Sequence, residues 1–261
     1  MELYHNNMAV CSQRVRLVLR AKDLHPIEHH LDLRAGDALR PEYLALNPNG
    51  VVPTLVDHGR PIIESSVICE YLDDAYPEVP LRPAGALDRA EMRLWTMLPD
   101  TGLHQACGIL SSAVAFRYQT LALPKEEVER QLAARPDPKV REFLRMLIER
   151  GVEAPIFAPN VLAYDAILGR MERALAGRPW LAGQDYSLAE AALLPYVQRL
   201  DHLQLSDVFL SHRPAVMDWF RRGSARANYA GISDYLDDKY LVLMAEKGRE
   251  AKSAVAAIIA A

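Results

Sequence analysis

The sequence predicts an α/β plus all-α architecture, a small mixed domain followed by a helical one. Up to about residue 77, short extended runs alternate with helical runs in the order βαβαββα. Beyond the stretch "PEVPLRPAG", with three prolines and a glycine, nearly every segment has helical period. At 261 residues the chain also exceeds most single cores, so two domains, or one domain with a large extension, are expected from length.

The elements follow in order. "MELYH" is an extended start, "SQRVRLVLRAKDL" a helix, and "IEHHLDL" a strand whose Ile27, Leu31 and Leu33 share a period of two. "RPEYLALNP" is a short helix, and "PTLVDHGRPIIES" a hairpin whose "DHGR" turn has Gly59 for a positive φ. In "SSVICEYLDDAYP", Val67, Ile68, Tyr71, Leu72 and Ala75 recur at helical spacing before Pro77. The expected boundaries are 1–78 for the first domain, 79–86 for the linker and 87–261 for the helical domain. Within the latter, "DRAEMRLWTMLPDTGLHQACGILSSAVAFRYQTLAL" is a long helix interrupted or bent at Pro99, followed by a charged stretch over 124–151 and a helix around "NVLAYDAILGRMERALAG". In "YSLAEAALLPYV", Ser187 and Glu190 have the spacing of a capping box.

Composition narrows the function classes. Thirty Lys and Arg against 34 Asp and Glu, without a long basic block, argue against a nucleic-acid partner. Three widely spaced cysteines, Cys11, Cys69 and Cys107, form neither a disulfide framework nor a Cys-based zinc site. His29 and His30 alternate faces on a strand, which argues against joint metal binding. The first thirty residues lack a secretory pattern and "SAVAAIIAA" is too short to cross a bilayer, so a cytoplasmic protein without membrane attachment is expected.

Three stretches offer chemistry. Cys11 and Ser12 open the first helix, where the dipole and unfilled amides lower the pKa of a thiol or stabilise a ligand's thiolate. In "NPNGVVP", Pro53 opens a strand; a cis bond after Val52 would leave the Val52 N–H and C=O outward, able to pair with an extended backbone. A trans loop proline is the plainer alternative. In "ESS", Ser65 or Ser66 is an N-cap candidate, the helix start attracts a carboxylate, and Glu64 can take an ammonium. All three lie at one end of a small α/β domain, an arrangement suited to an elongated, peptide-like thiol.

The stretches "CSQRVRLVL", "NPNGVVPTLVD", "ESSVICEYLDDAYP" and "YSLAEAALLPY" resemble, in order and over nearly the whole length, the cytosolic glutathione transferase superfamily. The resemblance implies a thioredoxin-like first domain binding glutathione as co-substrate, with Pro53 in the family's cis-proline place. It also implies pairing of the glutathione backbone with Val52, and Glu64 and Ser65 holding its γ-glutamyl end. "VICEYLDDAYPEVPLRPAGALDRAEMRLWTMLPD" and the insertion over 124–151 resemble the β-etherase group, which cleaves lignin-type β-aryl ethers. Cys11 matches the cysteine position of beta-class members and Ser12 the β-etherase serine, whereas Ala9 and Val10 depart from the leading serines of zeta-like members.

A serine hydroxyl that donates to the sulfur favours the thiolate, lowering its pKa below about 8.5. A cysteine instead supports mixed-disulfide chemistry. Ser12 as activator, Cys11 as nucleophile, and both as structural residues therefore stay open. The corresponding functions are a transferase acting on a hydrophobic electrophile, a thiol oxidoreductase, and a noncatalytic glutathione-binding scaffold. Trp95, Met97, His104, Phe116, Tyr118 and Tyr164 are apolar or donor residues of the helical domain, more commonly core than substrate contacts. The family implies a homodimer, and the terminal "EKGREAKSAVAAIIAA" is a cleft cover, a partner contact or a frayed tail.

Overall fold

The computed structural model describes residues 1–134 and 137–261; the charged stretch is thus described except at 135–136. Its first part runs β1 (Glu2–His5), α1 (Val10–Ala21), β2 (Ile27–His30), α2 (Pro41–Leu44), β3 (Thr54–Asp57), β4 (Arg60–Ile63) and α3 (Ser65–Ala75), the order the periodicity predicts. The sheet order is β2-β1-β3-β4, with β1 parallel to β2 and antiparallel to β3, and β3 antiparallel to β4. The hairpin closes through His58 and Gly59 at φ 48° and 72°, the two positive values that match the twist of the paired strands.

Three local expectations change. β2 stops at His30, and Ile27 and Leu33 are exposed, because β2 is an edge strand with little of the sheet's core to cover. The α3 cap position is Glu64, and neither Ser65 nor Ser66 caps, because both hydroxyls accept from the Arg14 guanidinium. In α1 the cap position is Ala9, so Ser12 lies within the first turn.

Packing divides the chain into two compact units. The first comprises Met1–Leu98, Ala174–Val197 and Met217–Asp237. Its core joins Leu3 and Leu55 of the sheet to Val15 and Val18 of α1 and Ile68 and Leu72 of α3, all fully buried. α4 (Ala86–Thr96) follows the linking stretch.

Within the first unit the capping box is built as an inward hub. Glu190, fully buried, accepts from the Ser187 N–H at 2.9 Å, the Ser187 hydroxyl at 2.8 Å, the Leu181 N–H at 2.7 Å and Trp219 Nε1 at 3.4 Å. The Ser187 hydroxyl also accepts from the Ala189 N–H, one position earlier than the usual box. Burial pushes the Glu190 carboxyl up, and these donors oppose the shift.

The second unit comprises Pro99–Arg173, Gln198–Val216 and Asp238–Ala261. The helical run breaks after Thr96, with non-helical Thr101 and Gly102, then resumes as α5 (His104–Ser111) and, past a wide turn at Ser112–Phe116, α6 (Arg117–Leu121). α7 (Lys125–Ala133) and α8 (Pro138–Arg150) carry the charged stretch, joined by the Arg145–Glu129 fork. α9 (Phe157–Ala174), α10 (Leu188–His202), α11 (Ser206–Leu210), α12 (Pro214–Ser224), α13 (Ala230–Ser233) and α14 (Asp238–Ala260) complete the chain.

The terminal segment does not fray: α14 buries Met244, Gly248, Ala251 and Val255. A Cβ added at Gly248 would overlap the Leu203 carbonyl, so only glycine lets the helix approach that backbone. No described helix is long and apolar enough to cross a membrane.

Candidate functional site

The sheet register brings the sequence-predicted residues to one end. Tyr4 pairs with Thr54 and Thr54 with Ile63. The chain leaving β1 toward Cys11 and Ser12, the chain entering β3 through Val52 and Pro53, and the chain leaving β4 into Glu64 and Ser65 therefore emerge from the same row of the sheet.

Hydrogen bonds join these segments. Arg14, 1% exposed, extends one guanidinium nitrogen to the Ser65 hydroxyl at 3.0 Å and another to the Ser66 hydroxyl at 2.8 Å. Asn49 Nδ2 donates to Glu64 Oε1 at 3.4 Å. Glu64 is exposed and has φ 67°, a left-handed value uncommon outside glycine and a conformation that recurs at ligand-holding positions.

The Val52–Pro53 bond is cis. Neither the Val52 N–H nor its C=O takes part in a backbone hydrogen bond among the described residues. The neighbouring backbone is clamped from below. The Val51 carbonyl accepts from the Tyr43 hydroxyl at 2.5 Å and Asn47 Nδ2 at 2.8 Å, and both groups also bond the Thr54 hydroxyl, at 2.9 and 3.2 Å. Burial of Tyr43 pushes its phenol pKa up, so it stays a neutral donor.

Cys11 is half-buried and Ser12 fully buried. The Ser12 Oγ accepts from the Asn6 N–H at 3.3 Å, a bond across the β1–α1 connection. That connection is held by Arg16, which donates to the Asn6 and Asn7 carbonyls at 3.2 and 2.9 Å.

Arg14, Arg16, Tyr43 and Asn47 are the positions that motif reading missed. The signal for the two arginines was their place inside "CSQRVRLVL", where a buried helix face needs partners for any charge. The helical-domain residues separate by burial. Trp95 and Tyr164 are core, Phe116 and Tyr118 half-buried, and Met97 and His104 exposed. No cluster of three or more His, Cys, Asp or Glu among the described residues is placed to hold a metal ion.

Residues 10–75 match the family described as glutathione S-transferase, N-terminal domain, and residues 146–222 the one described as glutathione S-transferase, C-terminal domain. The chain belongs to the glutathione S-transferase superfamily, with its thioredoxin-like domain and its helical C-terminal domain. It is similar to protein LigF of Sphingobium sp. SYK-6, 28% identical over 186 residues that span 69% of this chain and 72% of the relative. The crystal structure of β-etherase LigF from that strain superposes with a TM-score of 0.78 at 25% identity, over 90% of this chain and 97% of the other. Glutathione S-transferase TCHQD of Arabidopsis thaliana is 24% identical over 250 residues, 89% of each chain. A Burkholderia graminis glutathione transferase, solved with two glutathione molecules per subunit, aligns at 25% identity and a TM-score of 0.65, over 88% of this chain and 86% of its own.

Proposed function

We propose that this protein is a glutathione transferase that activates the glutathione thiol for attack on a hydrophobic aromatic electrophile, and specifically that it cleaves β-aryl ethers of the lignin type. The likeness to β-etherase LigF over 90% of the chain carries the substrate class. The glutathione-binding domain is assigned to 1–78, the linker to 79–86 and the domain receiving the hydrophobic substrate to 87–261.

In this reading the glutathione backbone pairs with the open N–H and C=O of Val52, Pro53 shapes the loop, and Glu64 and Ser65 hold the γ-glutamyl end. Ser12 donates its hydroxyl hydrogen to the sulfur, which favours the thiolate; the thiol proton passes to solvent. The sulfur, held about 3–3.5 Å from the carbon next to the aryl ketone, forms the C–S bond. The C–O bond breaks, and the phenolate leaves with its electron pair and takes a proton from water. Family membership also supports a homodimer, as do the exposed Val67 of α3 and Leu94 of α4, 54% and 57% accessible. The cytoplasm is the assigned compartment.

One observation favours a second reading. Cys11 is more accessible than the fully buried Ser12, which suits a thiol oxidoreductase attacking glutathione mixed disulfides. A single assay separates the two: glutathione with a fluorogenic β-aryl ether ketone, following phenol release by wild type, Ser12→Ala and Cys11→Ala. Release lost only in Ser12→Ala supports the etherase. No release by wild type removes it, and turnover of a glutathione mixed disulfide that Cys11→Ala lacks then establishes the oxidoreductase. A protein that binds glutathione and turns over neither substrate is a transferase of other specificity or the scaffold.

A further inference from the structure

We propose that Arg16 is a positioning residue for the thiol-activating hydroxyl: by holding the Asn6 and Asn7 carbonyls and the His5 ring it sets the course of the chain on either side of the Asn6 N–H that orients Ser12. This rests on the reading of Ser12 given above.

Arg16 is 1% exposed, and its partners are backbone and imidazole. It donates to the Asn6 carbonyl at 3.2 Å, the Asn7 carbonyl at 2.9 Å, His5 Nδ1 at 2.8 Å and, through Nε, the Gly231 carbonyl at 2.7 Å. The Tyr235 ring lies 4.2 Å from its guanidinium carbon. Since arginine only donates, His5 Nδ1 must accept, which leaves the ring proton on Nε2, 3.2 Å from Glu28 Oε2. Glu28 Oε1 accepts from the Tyr235 hydroxyl at 2.5 Å. Burial lowers the Arg16 pKa to about 10, so the group is still a cation at neutral pH.

Two consecutive carbonyls turned onto one planar group define the course of the β1–α1 connection. Asn6 reinforces it, giving Nδ2 to the Leu31 carbonyl at 2.9 Å and accepting the Met8 N–H on Oδ1 at 3.0 Å. The Asn6 N–H then donates to Ser12 Oγ at 3.3 Å. A hydroxyl has one hydrogen to give; with a donor on one lone pair, that hydrogen points elsewhere, and accepting one bond strengthens the bond it donates. Lysine cannot replace Arg16, because a single ammonium lacks the planar fork that spans several acceptors.

The test uses the full chain with bound glutathione, comparing wild type, Arg16→Lys, Arg16→Met, Asn228→Ala and Ser12→Ala. Asn228 donates to the Leu17 carbonyl and the Tyr186 hydroxyl, so its loss loosens the returning tail on α1 without touching residues 5–8. Ultraviolet titration of the thiolate, calorimetric glutathione affinity and Tm are measured on each. Arg16→Lys should raise the bound thiol pKa by about one unit, a roughly tenfold loss of thiolate on the acid side, with glutathione Kd changed less than about threefold. Asn228→Ala should lower Tm and leave that pKa at the wild-type value. Arg16→Met repeats the Arg16→Lys result if it folds. An unshifted pKa in Arg16→Lys, or an equal shift in Asn228→Ala, overturns the proposal. A wild-type pKa in Ser12→Ala would instead overturn the reading of Ser12 itself.

Discussion

Lys22 Nζ lies 2.7 Å from Asp73 Oδ1, and each side chain is only 1% exposed. The same ammonium donates to the Tyr76 and Val79 carbonyls, and the same carboxylate oxygen accepts the Leu81 N–H at 2.8 Å. One ion pair therefore ties the end of α1, the end of α3 and the stretch that leaves the first domain. Removing Lys22 alone leaves the buried Asp73 carboxylate with only the Leu81 N–H and Arg82, whose Nε lies 3.4 Å from Oδ2, so Lys22→Met should cost about 3 kcal/mol in urea unfolding. Lys22→Met with Asp73→Leu should recover part of that loss. A double variant no more stable than Lys22→Met would show that the pair's charges are not what the site needs.

Arg14 connects α1 to the two serines that open α3. Arg14→Met should weaken glutathione binding about tenfold, with kcat changed far less, because the Ser65 and Ser66 hydroxyls lose their common anchor. Steady-state kinetics with varied glutathione gives both numbers. A fall confined to kcat would place the role of Arg14 elsewhere.

Gly248 fixes the seat of α14. Gly248→Ala has no route to relieve the overlap with the Leu203 carbonyl except moving a backbone, and should destabilise by at least about 2 kcal/mol. Limited proteolysis should then cut within α14 at protease levels that leave the wild type intact. Wild-type Tm and resistance would mean that the helix can shift without cost.

His202, 7% exposed at the end of α10, has no hydrogen-bond partner for either ring nitrogen, and burial with Arg199 nearby lowers its pKa to about 3. Between its unfolded pKa near 6.5 and about 3, the unfolded state binds the extra proton, so the contribution is fully present above 6.5 and lost as pH falls through that window. Its share of the slope is about 1.4 kcal/mol per pH unit. His5, held at about 3 chiefly by burial and next by Arg16, adds in the same direction. His202→Leu should flatten the acid limb of the stability profile in guanidinium unfolding. An unchanged slope between pH 6 and 4 would show that His202 is not its source.

Most of the fold was legible because it is local. The hairpin needed Gly59 beside two apolar arms, and α1 and α3 needed only a period. The capping box was legible for the same reason, with Ser187 and Glu190 three residues apart. What sequence could not show is set by distant partners. Ser65 reads as a cap until Arg14, 51 residues earlier, takes its hydroxyl. Arg14 and Arg16 read as ordinary helix charges until their burial is seen, and Ile27 reads as core until β2 proves to be an edge. The terminal segment stayed open between a cleft cover, a partner contact and a frayed tail because its anchor, the contact of Gly248 with Leu203, lies between remote positions.

The bond from Arg16 to the Gly231 carbonyl joins residues 215 apart in the chain. A ribosome adding about 5–20 residues per second delivers Gly231 roughly 10–40 seconds after Arg16. The nascent amino-terminal half thus leaves the exit tunnel without the carbonyl that completes its arginine's coordination. The four strands can pair cotranslationally, while the β1–α1 connection settles only once Gly231 has been made and has emerged. Chains truncated before residue 231 should accumulate with a formed sheet and an unlatched first helix.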